Sequence, residues 1–252
     1  MDLRELHGAQ VQRHPWETAR VKAVADILGA PLREGITVLD VGCGDGYLSR
    51  TLFSGLARKK VTAVDINLTG ERIRQLQSAA GGFRYLTRLP ARGSGFELAL
   101  LLDVLEHVED DRQFLTQIAE QHVAAGGRVL LTVPAFQQLY SSHDRFLGHY
   151  RRYRLKEVEQ LAQGAGLEVV ASGYLFGCLL LPKLLLYKFL EPENTEGIGC
   201  WSAGAEITFL VGSLLRLENS LMIRLARRGV KPPGLSAWAL CEKRSAAAFL
   251  RG

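Results

Sequence analysis

The stretch VLDVGCGDG, residues 38–46, limits the possible folds more than any other part of this chain. A short β-branched and apolar run at residues 37–41 reads as a buried strand. Gly42, Gly44 and Gly46 then break it, and residues 47–56 carry apolar side chains at helical spacing. Strand, tight loop and helix in that order put bare backbone at a strand end, where open α/β sheets bind their ligands.

The rest of the chain repeats this alternation. Further strands are expected at residues 61–64, 83–86, 96–102, 128–133, 167–171 and 236–241. Helices are expected from Pro15 to a stop at Gly29, over residues 69–80, from a cap at Asp110 and Gln113 to a stop at Gly126 and Gly127, and from Leu155 to Gly166. Strands that are nearly all apolar and alternate with helices predict an α/β fold: a doubly wound, seven-stranded, mostly parallel sheet in a single domain, residues 1–252. The sixth and seventh strands are separated by far more chain than a usual connection, which predicts a helical insertion over residues 174–235.

Composition narrows the setting. With 47% hydrophobic residues and a mean hydropathy of +0.04, the chain is slightly more apolar than a soluble core requires. Its longest charge-free apolar stretch, residues 169–182, is too short to span a bilayer. The net charge of +5 favours an acidic partner: a phosphate group, an anionic membrane surface or nucleic acid. Four scattered cysteines, Cys43, Cys178, Cys200 and Cys241, suggest neither a metal knuckle nor a redox pair, so no metal is expected. The polar, acidic N-terminus is unlike a signal peptide, and a cytoplasmic protein is expected, with the inner membrane face as an alternative location.

Asp40 and Asp45 set two carboxylates beside the glycines, which suits a cationic ligand and not a phosphate. Asp65 follows at the end of the second strand, at the position from which such folds grip ribose hydroxyls. With these residues in place, the chain resembles the class I S-adenosylmethionine-dependent methyltransferases, whose first motif is a hydrophobic strand ending in D-x-G-x-G-x-G. The resemblance implies a Rossmann-like methyltransferase fold with S-adenosyl-L-methionine as cofactor. It places Asp40 in the cofactor site, runs Gly42, Cys43 and Gly44 past the methionine part, sets Asp65 on the ribose and lays Ile66 against the adenine. LLDVLEHVED, residues 101–110, resembles the fourth motif, in which Asp103 and Val104 line the methionine and His107 opens toward the pocket. After the third strand the family's usual acid is replaced by TRLPARG, so backbone at Arg88 and Leu89 is expected to meet the adenine edge.

The acceptor is expected to meet the run after the fifth strand, which concentrates His143, Asp144, Arg145, His149, Tyr150, Arg151, Arg152 and Tyr153. It resembles the H-D-x-x-x-G-H-x-R-R-Y segment of members found among glycan- and lipid-modifying enzymes. His143 is the expected general base or orienting residue, and a pairing with Asp144 is the alternative. His149, Tyr150 and Tyr153 join the acceptor site, and Arg151 and Arg152 are expected to bind an anionic group there. The insertion places Ile207, Leu210, Val211, Leu214, Leu215, Leu221, Met222 and Leu225 at helical spacing, with Arg216, Glu218 and Asn219 mainly elsewhere. A basic cluster of Arg224, Arg227, Arg228 and Lys231 follows. This segment is expected to be a lid or a membrane-contacting element.

The expected reaction is methyl transfer to a hydrophobic or lipid-linked small molecule, with oxygen the preferred acceptor atom. Nucleic-acid methylation is disfavoured, since LDVLEH stands where base-amino methyltransferases carry Asn/Asp-Pro-Pro-aromatic. A non-catalytic cofactor- or lipid-binding protein is the other alternative.

Overall fold

The structure, a computed structural model, describes residues 13–29, 32–78, 81–190, 201 and 203–244. Cys200 lies outside this set. Seven strands form one sheet in the order β3-β2-β1-β4-β5-β7-β6. They are β1 (Thr37–Val41), β2 (Lys60–Val64), β3 (Phe83–Leu86), β4 (Phe96–Leu102), β5 (Val123–Pro134), β6 (Leu167–Leu175) and β7 (Ser236–Lys243). β1 to β5 pair in parallel, and β7 inserts antiparallel between β5 and β6. The helices are α1 (Pro15–Leu28), α2 (Tyr47–Leu52), α3 (Gly70–Ser78), α4 (Asp111–Gln121), α5 (Ser142–Leu147), α6 (Leu155–Gly164), α7 (Leu180–Leu190) and α8 (Ala205–Ala226).

Side chains alternate across the central strands because strand residues point to opposite faces. Val38, Leu98, Leu100 and Leu130 pack on one side with Ala23, Val24 and Ile27 of α1 and Leu215, Ile223 and Ala226 of α8. Leu39, Ala99, Leu101, Val129 and Leu131 pack on the other with Leu115 and Ile118 of α4 and Val158 and Leu161 of α6. Both faces are therefore covered, which is why these strands read as unbroken apolar runs.

Start signals held where local chemistry dictates them. Asp110 caps α4 by accepting from the Gln113 amide at 2.9 Å, and Pro15 opens α1. One stop signal misled: α4 ends at Gln121, not at Gly126. β5 begins at Val123, bulges where its pairing with β4 shifts register, and uses Gly126 at φ 72° inside the irregularity.

α7 and α8 fill the connection between β6 and β7. The expected single apolar face of α8 divides in two. Leu215, Met222 and Ile223 are buried, while Ile207, Leu210, Leu214 and Leu221 are exposed. Asn219, assigned to the polar side, is buried because its Oδ1 accepts the Phe176 amide at 2.9 Å, where that residue takes a φ of 61°.

Candidate active site

The glycine loop leaves β1 above the ends of β2 and β4. Gly42 and Cys43 donate their amides to Val64 O at 2.8 and 3.1 Å, and Gly44 donates to Asp65 Oδ2 at 2.9 Å. Asp65 Oδ1 accepts the Asn67 amide, so this carboxylate braces both the loop and its own turn. Gly42 has a φ of 70°, and a Cβ there would sit 2.6 Å from Val104 Cγ2, so only glycine fits this approach. Asp40 is buried beneath the loop, and burial pushes its carboxyl up to about 6. Cys43 is buried as well, and burial drives its thiol far above the usual range, which excludes a thiolate.

Two of the expected carboxylates have cationic partners that the sequence reading missed. Asp45, expected to face the ligand, is instead ion-paired to Arg13, whose guanidinium also stacks 4.3 Å from the Tyr47 ring centroid. Asp103 takes a φ of 57° and meets Arg20 Nη1 at 2.9 Å, while its Oδ1 accepts from Thr132 Oγ1 at 2.9 Å. Arg20 donates to Thr132 Oγ1 as well, 112 residues away in sequence, so α1 is tied directly to the end of β4. Ile66 is 81% exposed beside Asp65, and Leu89 is partly buried against the core. The buried Asp40, the glycine cradle closed on Val104 and the partly exposed Asp65 together fit a cofactor with a cationic end and a ribose.

The loop after β5 converges on one carboxylate. Asp144, fully buried in α5, accepts from the Ser141 amide and hydroxyl at 2.9 and 3.0 Å, from Arg152 Nε and Nη2 at 2.8 and 2.9 Å, and lies 2.8 Å from His149 Nδ1. Burial opposes its ionisation, but the hydrogen bonds from His149 and Arg152 outweigh it and hold the carboxyl below the usual range. Arg152, expected to receive an acceptor anion, is therefore committed to Asp144 inside the protein, because a buried guanidinium needs a carboxylate to offset its desolvation. Arg151 donates to Asp111 Oδ2 at 3.1 Å and to Glu109 O at 2.7 Å while remaining partly exposed. Tyr153 is buried with its hydroxyl 2.7 Å from Asp111 Oδ2, and Tyr150 is exposed with its amide on Glu106 O. Arg151, Arg152, Tyr153 and Arg154 share the lining of an open cavity of about 410 Å³.

His143 is half-buried on α5, and burial, with Lys183 next, lowers its pKa. Lys183 of α7 was not among the expected site residues. Burial, then Arg152, pushes it down to about 8. Glu106 and His107 occupy the turn after β4, with the His107 ring edge-on to His149 at a centroid distance of 4.5 Å.

Comparison with known proteins agrees with this fold. The methyltransferase-domain family profile matches residues 13–172. The ubiquinone biosynthesis O-methyltransferase of Arabidopsis mitochondria is 30% identical over 115 residues, covering 43% of this chain and 36% of that protein. Its counterpart from Caulobacter vibrioides is 37% identical over 92 residues, 34% of this chain and 36% of the relative. The match thus spans little more than a third of either relative. A methyltransferase dependent on S-adenosylmethionine from Archaeoglobus fulgidus has the same fold, with a TM-score of 0.53 at 15% identity over 90% of this chain and 94% of that one. With the family profile spanning more than half its length, this chain belongs to the methyltransferase-domain family.

Proposed function

We propose that the protein methylates a hydroxyl oxygen on a hydrophobic or lipid-linked small molecule at the surface of an anionic membrane. The observation that carries this reading is the union, in one molecule, of the cofactor cradle with a largely apolar insertion. Phe209 and Leu217 of α8 are 72% and 70% exposed, and Leu181, Leu184 and Leu185 of α7 are also open. Exposed leucines in this number suit an apolar acceptor or lipid. The relatives' names, which specify O-methylation in ubiquinone biosynthesis, support oxygen as the acceptor atom and an apolar acceptor. No described helix is long and apolar enough to cross a membrane, so contact would be with its surface.

Bound S-adenosylmethionine supplies an electrophilic methyl group for in-line displacement. In this reading Asp40 and Asp103 hold the cofactor's cationic end, Gly42 to Gly44 lie along its methionine part, Asp65 takes the ribose, and Ile66 and Leu89 flank the adenine. His143, kept neutral by its lowered pKa, accepts the acceptor's proton. Arg151 receives an anionic group from the 410 Å³ cavity. The test is cofactor calorimetry followed by labelled-methyl transfer to lipid extracts and to RNA. Asp40→Ala and Asp65→Ala should each weaken cofactor binding by about 1.5–3 kcal/mol, the scale of a hydrogen bond to a charged group. Label should enter the lipid fraction. Label confined to RNA, or cofactor bound without turnover, would overturn the proposal.

A further inference from the structure

A second cavity opens between α2 and α3, and none of the residues assigned above to the cofactor or the acceptor lines it. Its volume is about 570 Å³, within the ~300–1,000 Å³ of small-molecule sites. Arg13, Arg50, Lys59 and Arg72 line it, and the buried Phe83 forms its inner wall. Asp45 is the one acid among the described lining residues, and Arg13 already holds it.

The other three cations have no opposite charge to meet. Lys59 Nζ donates to Leu56 O at 2.8 Å and Arg72 Nη1 to Gln75 Oε1 at 3.3 Å, and no described carboxylate pairs with Arg50, Lys59 or Arg72. All three are half-buried. Like charges around one recess repel each other, and its low-dielectric walls concentrate their field, so an anion is the matched occupant. Tyr85 adds an independent observation. Its ring stacks on Phe83 at a centroid distance of 6.0 Å. Its hydroxyl lies against Gly46, where a Cβ would come within 3.0 Å of it, between the cavity residues Asp45 and Tyr47. Tyr85 is 3% exposed, and this hydroxyl meets no hydrogen-bond partner among the described residues. Burial pushes it up to about 12, and Arg50 is near enough to oppose that shift, so the group stays an O–H in need of an acceptor.

We propose that the cavity between α2 and α3 binds a soluble small molecule carrying a diphosphate, with Arg50, Lys59 and Arg72 on the phosphates and Tyr85 donating to a phosphate oxygen. Guanidinium forks match phosphate oxygens two at a time, which suits Arg50 and Arg72 to this task. Three positive charges exceed the ~1.5–2 negative charges of a single phosphate, so two phosphates balance them better. The volume leaves room for an organic body beyond the phosphates. A flat bilayer surface cannot carry a headgroup down to Phe83, which is only 7% exposed, so the ligand is a free molecule. The chain's net charge of +5, which favours an acidic partner, is here concentrated on one recess. This site stands independently of the methyl transfer proposed above.

Calorimetry of the full chain at fixed ionic strength, with inorganic pyrophosphate, UDP and orthophosphate as probes, tests the site. One pyrophosphate or one UDP per chain is expected, each bound at least about tenfold tighter than orthophosphate. The double variant Arg50→Gln/Arg72→Gln should lose at least about tenfold in pyrophosphate affinity and Tyr85→Phe at least about threefold, as hydrogen bonds to a charged group are removed. Arg74→Gln, exposed on α3 and outside the cavity, should bind as the parent does. Thermal unfolding should show the double variant folded, since it removes two charges that no described carboxylate pairs. Neither saturating S-adenosylmethionine nor vesicles containing phosphatidic acid should displace pyrophosphate. Affinity unchanged in the double variant or in Tyr85→Phe, an equal loss in Arg74→Gln, or no preference of either diphosphate over orthophosphate would overturn the proposal. Displacement by S-adenosylmethionine would move the anion to the cofactor cradle, and displacement by vesicles would give the cavity to a lipid headgroup; either result sinks it. A chain that binds pyrophosphate in this way but transfers no methyl group keeps the site, while the function proposed above fails.

Discussion

A carboxyl sealed under the glycine loop favours its neutral form, and burial raises Asp40 to about 6 from an ordinary value near 3.8. The folded chain therefore keeps this proton between about pH 4 and 6, where an unfolded chain has lost it. A cationic cofactor reverses that preference by favouring the ionised form. S-adenosylmethionine affinity should rise as pH is raised through about 6 and level off above it, and Asp40→Asn should flatten the profile. Calorimetry across pH 5–8 checks this, and an unchanged slope in the variant would remove Asp40 from the cofactor's charged end. Gly42→Ala tests the cradle from the steric side. A Cβ 2.6 Å from Val104 Cγ2, at φ 70°, has to push Val104 aside and adds about 1–2 kcal/mol of backbone strain. Cofactor affinity should fall at least tenfold while circular dichroism stays native.

At the scale of elements, neighbouring arginines differ in role. Arg152 closes α5 onto the start of α6 through Asp144, and removing it leaves that carboxylate buried with only Ser141 and His149 to offset its charge. Arg152→Ala should therefore cost about 3–5 kcal/mol in denaturant unfolding. Arg151→Ala should change stability by only about 0–1 kcal/mol and raise acceptor KM instead. Because Asp144 is held below the ordinary carboxylate range, its contribution to stability is present above about pH 4 and is lost as pH falls further. The sequence carried the strands well: β1, β3 and β4 begin and end where their apolar runs do. It also carried the glycine loop, since that loop's chemistry is local. It did not carry Arg20, whose partners Asp103 and Thr132 arrive only once α1 docks on the sheet. Arg152 was misread for a related reason. A run of arginines looks like a surface until folding buries one of them, and nothing in HDRFLGHYRRY says which.

Across the whole molecule, α8 faces two ways. Its inner side packs on α1, where Ser220 Oγ donates to Asp26 Oδ2 at 2.7 Å, and its outer side shows Ile207, Leu210, Leu214, Leu217 and Leu221. Arg224 and Arg228 are exposed at its end, next to those leucines. Sedimentation with anionic vesicles should show binding that weakens with salt, since screening reduces the basic contribution, and Leu214→Glu with Leu217→Glu should abolish it. Equal binding by the double variant would show that this face is not the contact. The antiparallel placement of β7 has another consequence. Leu175 and Ser236 are cross-strand partners, so the chain leaves the sheet and returns at a single point. The segment between them hangs from one hinge-width gap, which a hairpin turn could bridge. Evolution or a protein engineer can thus lengthen, shorten or exchange its outer part without moving a catalytic strand, provided the inner side of α8 stays on α1. One methyl-transfer chassis can in this way be refitted for acceptors of very different shape.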